Sequence, residues 1–265
     1  DGKRMALTDN HLNLWLMDVA TGQAKKVDAD TYADPGRAME PAWSPDGKWL
    51  AYSRSSDSHM RVVMLYNLAD GKAHQVTDGM SDAISPVFDA GGKYLYFQAS
   101  TNLGPRTGWL EMSSLDRPVR RSFYLVVLRA SDPSPLLPEQ GDEPATGASS
   151  RRPGDEPGAG GPPRRAGGGE GGVPSAAAAA PGAAAAAPRA DTTPSIDIAG
   201  ISQRIMALGI PAADYAALVA GPAGSFFYLE QGASPAAPAR LFKYDLKTRA
   251  PTLFLDGVRS VEVGN

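Results

Sequence analysis

Short apolar runs alternate with turn-forming residues along most of the chain, and the runs recur. Trp49, Leu50, Ala51 and Tyr52 form one; Tyr94, Leu95, Tyr96 and Phe97 form another. Both are aromatic and β-favouring, so each reads as a strand. Ahead of them stand Pro41-Ala42-Trp43-Ser44-Pro45-Asp46-Gly47-Lys48 and Pro86-Val87-Phe88-Asp89-Ala90-Gly91-Gly92-Lys93. Lys3, Lys48 and Lys93 are spaced by 45 residues, as are Pro41 and Pro86. Asp46-Gly47 and Gly91-Gly92 supply the positive φ that a two-residue hairpin turn requires.

A second motif interleaves with the first. Leu14-Trp15-Leu16-Met17-Asp18-Val19-Ala20-Thr21-Gly22 is matched by Val63-Met64-Leu65-Tyr66-Asn67-Leu68-Ala69-Asp70-Gly71. A later echo is Leu241-Phe242-Lys243-Tyr244-Asp245-Leu246-Lys247-Thr248. Thr21-Gly22 and Asp70-Gly71 predict a further hairpin turn, leading into strands at 25–27 and 74–76. Each unit then holds about four strands, running from inner to outer. A period of ~40–45 residues with several short strands per unit is the signature of a β-propeller blade. One such sheet cannot bury both its faces, so neighbouring blades must cover them. Trp43, Trp49, Phe88 and Tyr94 are accordingly expected to pack between blades rather than to stack on a ligand.

The third unit has inner strands at 84–88 and 94–99, a further strand at 122–129 and an outer strand at 201–208. A fourth runs through 215–219, 226–229, 241–245 and 252–255, and 258–263 reads as the first strand of a fifth. Between them the composition changes. Over residues 141–190, 35 of 50 are Gly, Pro or Ala, none is aromatic, and Val173 is the only branched aliphatic residue. Such a stretch cannot bury enough apolar surface to offset its ordering entropy, and predicts disorder. Pro181-Gly182 splits its alanine run into pieces far below the ~12 residues at which an isolated helix becomes marginal. The expected fold class is all-β: a partial β-propeller of four-stranded blades with a long disordered insertion. The expected division is 1–137, propeller blades with the first incomplete; 138–193, the insertion; and 194–265, blades continued with the last incomplete. Residues 1 and 265 both fall inside a unit, which reads as a fragment of a larger protein.

Composition removes several chemistries. With no Cys, a disulfide scaffold, a Cys-ligated zinc site and a thiol nucleophile are excluded. A net charge of −3 lacks the strongly basic balance of a nucleic-acid-binding domain. No apolar run approaches the roughly 18–20 residues of a membrane span, and no signal peptide is visible. Gly200-Ile201-Ser202-Gln203-Arg204 fails the nucleophile-elbow pattern at its last position. His11, His59 and His74 fall at strand edges or turns and form no metal-ligand spacing. Glu139, Asp142 and Glu143 read as solvated carboxylates, and Arg151-Arg152 and Arg164-Arg165 as solvated charge. Gly167, Gly168 and Gly169 follow no strand and make no phosphate loop. No catalytic, cofactor-binding or metal-ligating residue is assigned, and no cofactor is expected.

The repeat around Pro41 to Tyr52 resembles the TolB-type and WD-like propellers. A more specific likeness lies in Thr107-Gly108-Trp109-Leu110-Glu111-Met112-Ser113-Ser114, in Arg121-Ser122-Phe123-Tyr124-Leu125-Val126-Val127-Leu128-Arg129, and in Pro133-Ser134-Pro135-Leu136-Leu137-Pro138-Glu139. With Ile201-Ser202-Gln203-Arg204-Ile205-Met206-Ala207-Leu208 and Phe226-Phe227-Tyr228-Leu229, these resemble the propeller region of bacterial tricorn-like serine peptidases, at the later of two propellers. The resemblance implies a homo-oligomeric, cytoplasmic parent in which PDZ-like and catalytic domains follow the propellers, and oligopeptides pass through them. The expected function is a non-catalytic propeller segment gating or channelling oligopeptides to a catalytic core absent from this chain. The other reading is a TolB-type propeller that binds a protein partner without protease activity. No nucleic-acid or membrane partner is expected.

Overall fold

The central strands form where apolar side chains alternate between two buried faces, and the outer strands pair along their exposed edges. The computed structural model describes residues 2–32, 39–102, 119–137, 196–232 and 237–261. All of them belong to one compact unit, Asp1–Leu137 with Thr193–Asn265. The predicted insertion at 138–193, with its carboxylates, arginine pairs and glycine run, lies outside the described residues, as does the segment from Thr107 to Ser114.

The first sheet has three strands in the order β1 (Arg4–Thr8), β2 (Asn13–Asp18) and β3 (Ala24–Ala29). The second is β4 (Ala42–Trp43), β5 (Trp49–Ser55), β6 (Arg61–Asn67) and β7 (Lys72–Gln75). The third is β8 (Asp82–Phe88), β9 (Tyr94–Ser100), β10 (Ser122–Val127) and β11 (Ile205–Ala207). The fourth is β12 (Tyr215–Ala220), β13 (Ser225–Glu230), β14 (Ala239–Asp245) and β15 (Ala250–Val258). Every described pairing is antiparallel and joins strands adjacent in the chain. The four-stranded sheets and their meander order match the blade expectation, and the described fold is a β-propeller.

The two-residue period decides what each sheet touches. On β5, Leu50 and Tyr52 pack with Leu14 of the first sheet, whereas Trp49 and Ala51 pack with Leu95 and Phe97 of the third. On β10, Val126 joins that same cluster, while Phe123, Leu125 and Val127 turn to Tyr215, Phe226 and Tyr228 of the fourth. Each middle sheet is thus apolar on both faces, and the sheets stack in chain order. Trp49 and Phe88 are buried in these interfaces, and Trp43 and Tyr94 pack against them half-buried.

Three local expectations are corrected. The turn between β4 and β5 is longer than two residues: Ser44 N–H donates to Trp49 O at 3.0 Å, and Gly47 N–H to Ser44 O at 2.9 Å. Asp89, Tyr94 and Gly92 repeat both bonds in the third sheet. Pro45 supplies a fixed φ for a β-turn, and Gly47 at φ 66 then returns the chain to the ladder. The second turn also spans four residues, with Gly22 N–H on Asp18 O at 2.8 Å and Gly71 N–H on Asn67 O at 2.9 Å. Next, 201–208 is not one strand. Ile201–Arg204 is a 3₁₀ helix, and only Ile205–Ala207 pairs with β10. Arg204 explains this, because its guanidinium gathers the carbonyls of Val127 (2.8 Å), Ala199 (2.9 Å) and Asp197. Finally, Val258 closes β15 rather than opening a fifth unit; the rest of that predicted strand passes partly outside the described residues.

Candidate functional site

β4, β8 and β12 are edge strands of their sheets, and the turns that follow β4 and β8, together with Ala220 at the end of β12, meet at one opening. A cavity of about 650 Å³ lies there, lined by Gly2 and Arg4 of the first sheet, Trp43 and Asp46 of the second, Phe88 of the third and Ala220 of the fourth. All four sheets therefore contribute to a single axial cavity.

The rim is held by carboxylates and a serine at matching turn positions. Ser44 Oγ accepts the Trp49 N–H at 2.9 Å and donates to Asp46 Oδ1 at 2.6 Å. Asp46 Oδ2 is buried without a hydrogen-bond partner among the described residues, and Lys48 Nζ stands 4.0 Å away. In the third sheet Asp89 takes the place of Ser44. It is buried and accepts three bonds: Gly91 N–H at 2.9 Å, the Tyr96 hydroxyl at 3.2 Å and Gly224 N–H at 2.6 Å. The last bond ties the third sheet to the fourth. Burial, then the negative charge of Asp89, pushes the Tyr96 phenol up from its ordinary value. Arg4 stands opposite Asp18 on β2. The Asp18 carboxyl is held low, first by the Thr21 N–H and hydroxyl and to a smaller extent by the Arg4 charge.

At the other end of the strands a charged ladder joins three sheets. Arg61 Nη2 lies 3.2 Å from Asp30 Oδ2, and both side chains are buried. The Arg61 N–H donates to Asp82 Oδ1 at 3.1 Å, and Arg121 Nη2 meets Asp82 Oδ2 at 2.7 Å. Asp28 adds a parallel link to Tyr52 (2.6 Å) and Arg54 (3.1 Å). No sequence motif points to these residues, since partners 21 and 31 positions apart meet only when sheets stack, and those 39 apart only when β8, β9 and β10 form one sheet.

The residues weighed from sequence are dispersed. His11 sits in the turn after β1, with its N–H on Asp9. His59 stacks on Tyr32 at 4.0 Å between ring centroids, and His74 lies on β7 near Trp49. Ser202 is exposed on the 3₁₀ helix. Among the described residues no serine hydroxyl bonds a histidine ring, no carboxylate or histidine group has metal-binding geometry, and no helix is long and apolar enough to cross a membrane.

The family model of the tricorn protease second beta propeller domain matches residues 1–265. A tricorn protease homolog of Saccharolobus solfataricus is 33% identical over 129 residues, covering 48% of this chain and 12% of that protein. Tricorn protease homolog 1 of Streptomyces coelicolor is 28% identical over 148 residues, covering 54% of this chain and 13% of that protein. The matched half of the chain thus spans about an eighth of the length of these relatives. Among solved structures, that of the tricorn protease superposes with a TM-score of 0.64 at 15% identity, covering 99% of this chain and 22% of that one. A TolB from Agrobacterium tumefaciens gives a TM-score of 0.52 at 12% identity, covering 97% of this chain and 62% of that one.

Proposed function

The chain belongs to the family of tricorn protease second β-propeller domains, and on that premise we propose that it is a non-catalytic segment that gates or channels oligopeptides toward the catalytic core of a tricorn-like serine peptidase. The axial cavity carries this reading. Its walls are turns and small residues, with Trp43 and Phe88 for apolar contact and Asp46 and Arg4 for polar contact. An extended peptide presents just such a mixture: backbone N–H groups for a carboxylate oxygen, carbonyls for a guanidinium, and side chains for aromatic faces. The parent is read as a bacterial, cytoplasmic homo-oligomer, in which PDZ-like and catalytic domains handle the peptides that this segment passes on.

The second reading, a TolB-type protein-binding module, is favoured by the likeness to the TolB fold. It would place the partner on the outer loops and leave the axial opening idle. Because the chain has no Cys, one introduced thiol separates the two. Ala90→Cys places it at the cavity rim, and Val19→Cys places it on an exposed turn of the first sheet. A mixture of oligopeptides is expected to slow alkylation at the first and not at the second. Equal rates at both would contradict passage through the cavity.

A further inference from the structure

We propose that a small cleft between the second and third sheets is an anchor pocket for one arginine side chain of a partner polypeptide. It lies at the end of the strands remote from the axial cavity and has a volume of about 270 Å³. That is below the ~300–1,000 Å³ of pockets that take whole small ligands, so a single side chain is the fitting occupant. Its floor is the half-buried ring of Tyr124, flanked by Ile205 and backed by the buried Phe97, with the two ring centroids 5.6 Å apart and planes within 17°. β7 ends at Gln75, and the chain turns away through Asp78, so Tyr124 and Ile205 stay half-exposed above the buried Phe97 and Ala99.

The rim chooses the chemistry. Asp78 is the one charged group among the described lining residues. Its Oδ1 accepts the Met80 N–H at 2.9 Å, which fixes the carboxylate on an exposed turn with Oδ2 available. Ser81 and Thr101 hydroxyls and the Gln203 amide add acceptors around it. An aromatic floor below a carboxylate suits a long side chain with an apolar stem and a cationic head. Arginine fits better than lysine, because its planar guanidinium stacks on ring faces while its N–H fork reaches several acceptors.

The test uses the whole chain and capped tripeptides carrying arginine, citrulline or norleucine between two glycines. Binding is followed by amide chemical shifts. Arginine is expected to bind saturably in the millimolar range, with shifts centred on Asp78, Ser81 and Thr101, and citrulline to bind roughly tenfold more weakly. Asp78→Asn keeps the acceptor for Met80, so the turn is retained, and is expected to lower arginine affinity roughly tenfold. Equal binding of arginine and norleucine, an unchanged affinity in Asp78→Asn, or no saturable binding would each overturn the assignment. Protection of a thiol at Ala90 bears only on the axial cavity, so the two ideas fail separately.

Discussion

Ser85 donates both its backbone N–H (2.8 Å) and its hydroxyl (2.9 Å) to one oxygen of Glu40. The two residues are 45 positions apart and occupy the same place in successive units. Both adopt left-handed backbone, at φ 48 for Glu40 and φ 52 for Ser85. In β8 the pairing slips between Ile84 and Val87, which frees the Ser85 N–H from the ladder. The carboxylate of one unit thus satisfies the donor that the bulge of the next exposes.

Removing this link should loosen neighbouring inner strands without disturbing either sheet. Glu40→Ala is expected to cost about 1 kcal/mol in urea unfolding, since two charge-assisted hydrogen bonds are lost at an exposed site. Ser85→Gly keeps the N–H bond and relieves the left-handed backbone, so it should cost less.

The buried ladder is a stricter dependence. Asp82 receives Arg61 and Arg121 inside the stack, and its side chain is fully buried. Losing one partner of a buried ion pair strands the other charge, at a cost of about 3–5 kcal/mol. Asp82→Leu should therefore lower the unfolding midpoint far more than Glu40→Ala. A double-mutant cycle with Arg121→Met should show that the two losses are not additive.

Tyrosine burial sets a pH limit. Tyr52 is pushed up by burial and then by its bond to Asp28, Tyr96 by burial and then Asp89, and Tyr215 to about 12 by burial and then Glu230. The folded chain holds these protons more tightly than the unfolded chain, whose phenols titrate near 10. Their stabilising effect is complete below pH ~10 and is lost as pH rises through the folded-state values. Absorbance of ionised phenol should therefore show a cooperative step that coincides with loss of β circular dichroism. Gradual, complete titration near pH ~10 with the fold intact would contradict the packing described.

The second turn offers a comparison within one molecule. Gly22 and Gly71 adopt φ 69, and the third copy places Arg249 there at φ 52. Arg249 makes a contact that a glycine could not: its guanidinium donates to Pro135 O at 3.3 Å and to Leu137 O at 2.5 Å. Gly71→Ala is expected to destabilise by about 1 kcal/mol through backbone strain. Arg249→Gly should show little net change in global stability, but faster proteolysis next to Leu137.

The blades were legible in the sequence because their causes are local. Glycines at turn ends, β-favouring runs and a 45-residue spacing all act within one unit, and Trp43, Trp49, Phe88 and Tyr94 repeat with them. Turn length is not legible because Asp46-Gly47 alone looks like a tight hairpin, whereas Pro45 and the Ser44 hydroxyl enlarge it. The 3₁₀ helix has no sequence signal because Arg204 folds back onto carbonyls that only the folded chain brings beside it. Asp30, Arg61, Asp82 and Arg121 look like ordinary surface charges until the sheets stack, and Arg4, Asp46 and Ala220 become one cavity wall for the same reason.

The axial cavity as a peptide path is most directly tested by photo-crosslinking an oligopeptide that carries a benzophenone side chain, with adducts mapped by mass spectrometry. The expected adducts lie on Trp43, Phe88 and the turns beside them, and decline when unlabelled oligopeptides are added. Adducts confined to the outer loops, or a cavity left unlabelled at saturating peptide, would contradict the account.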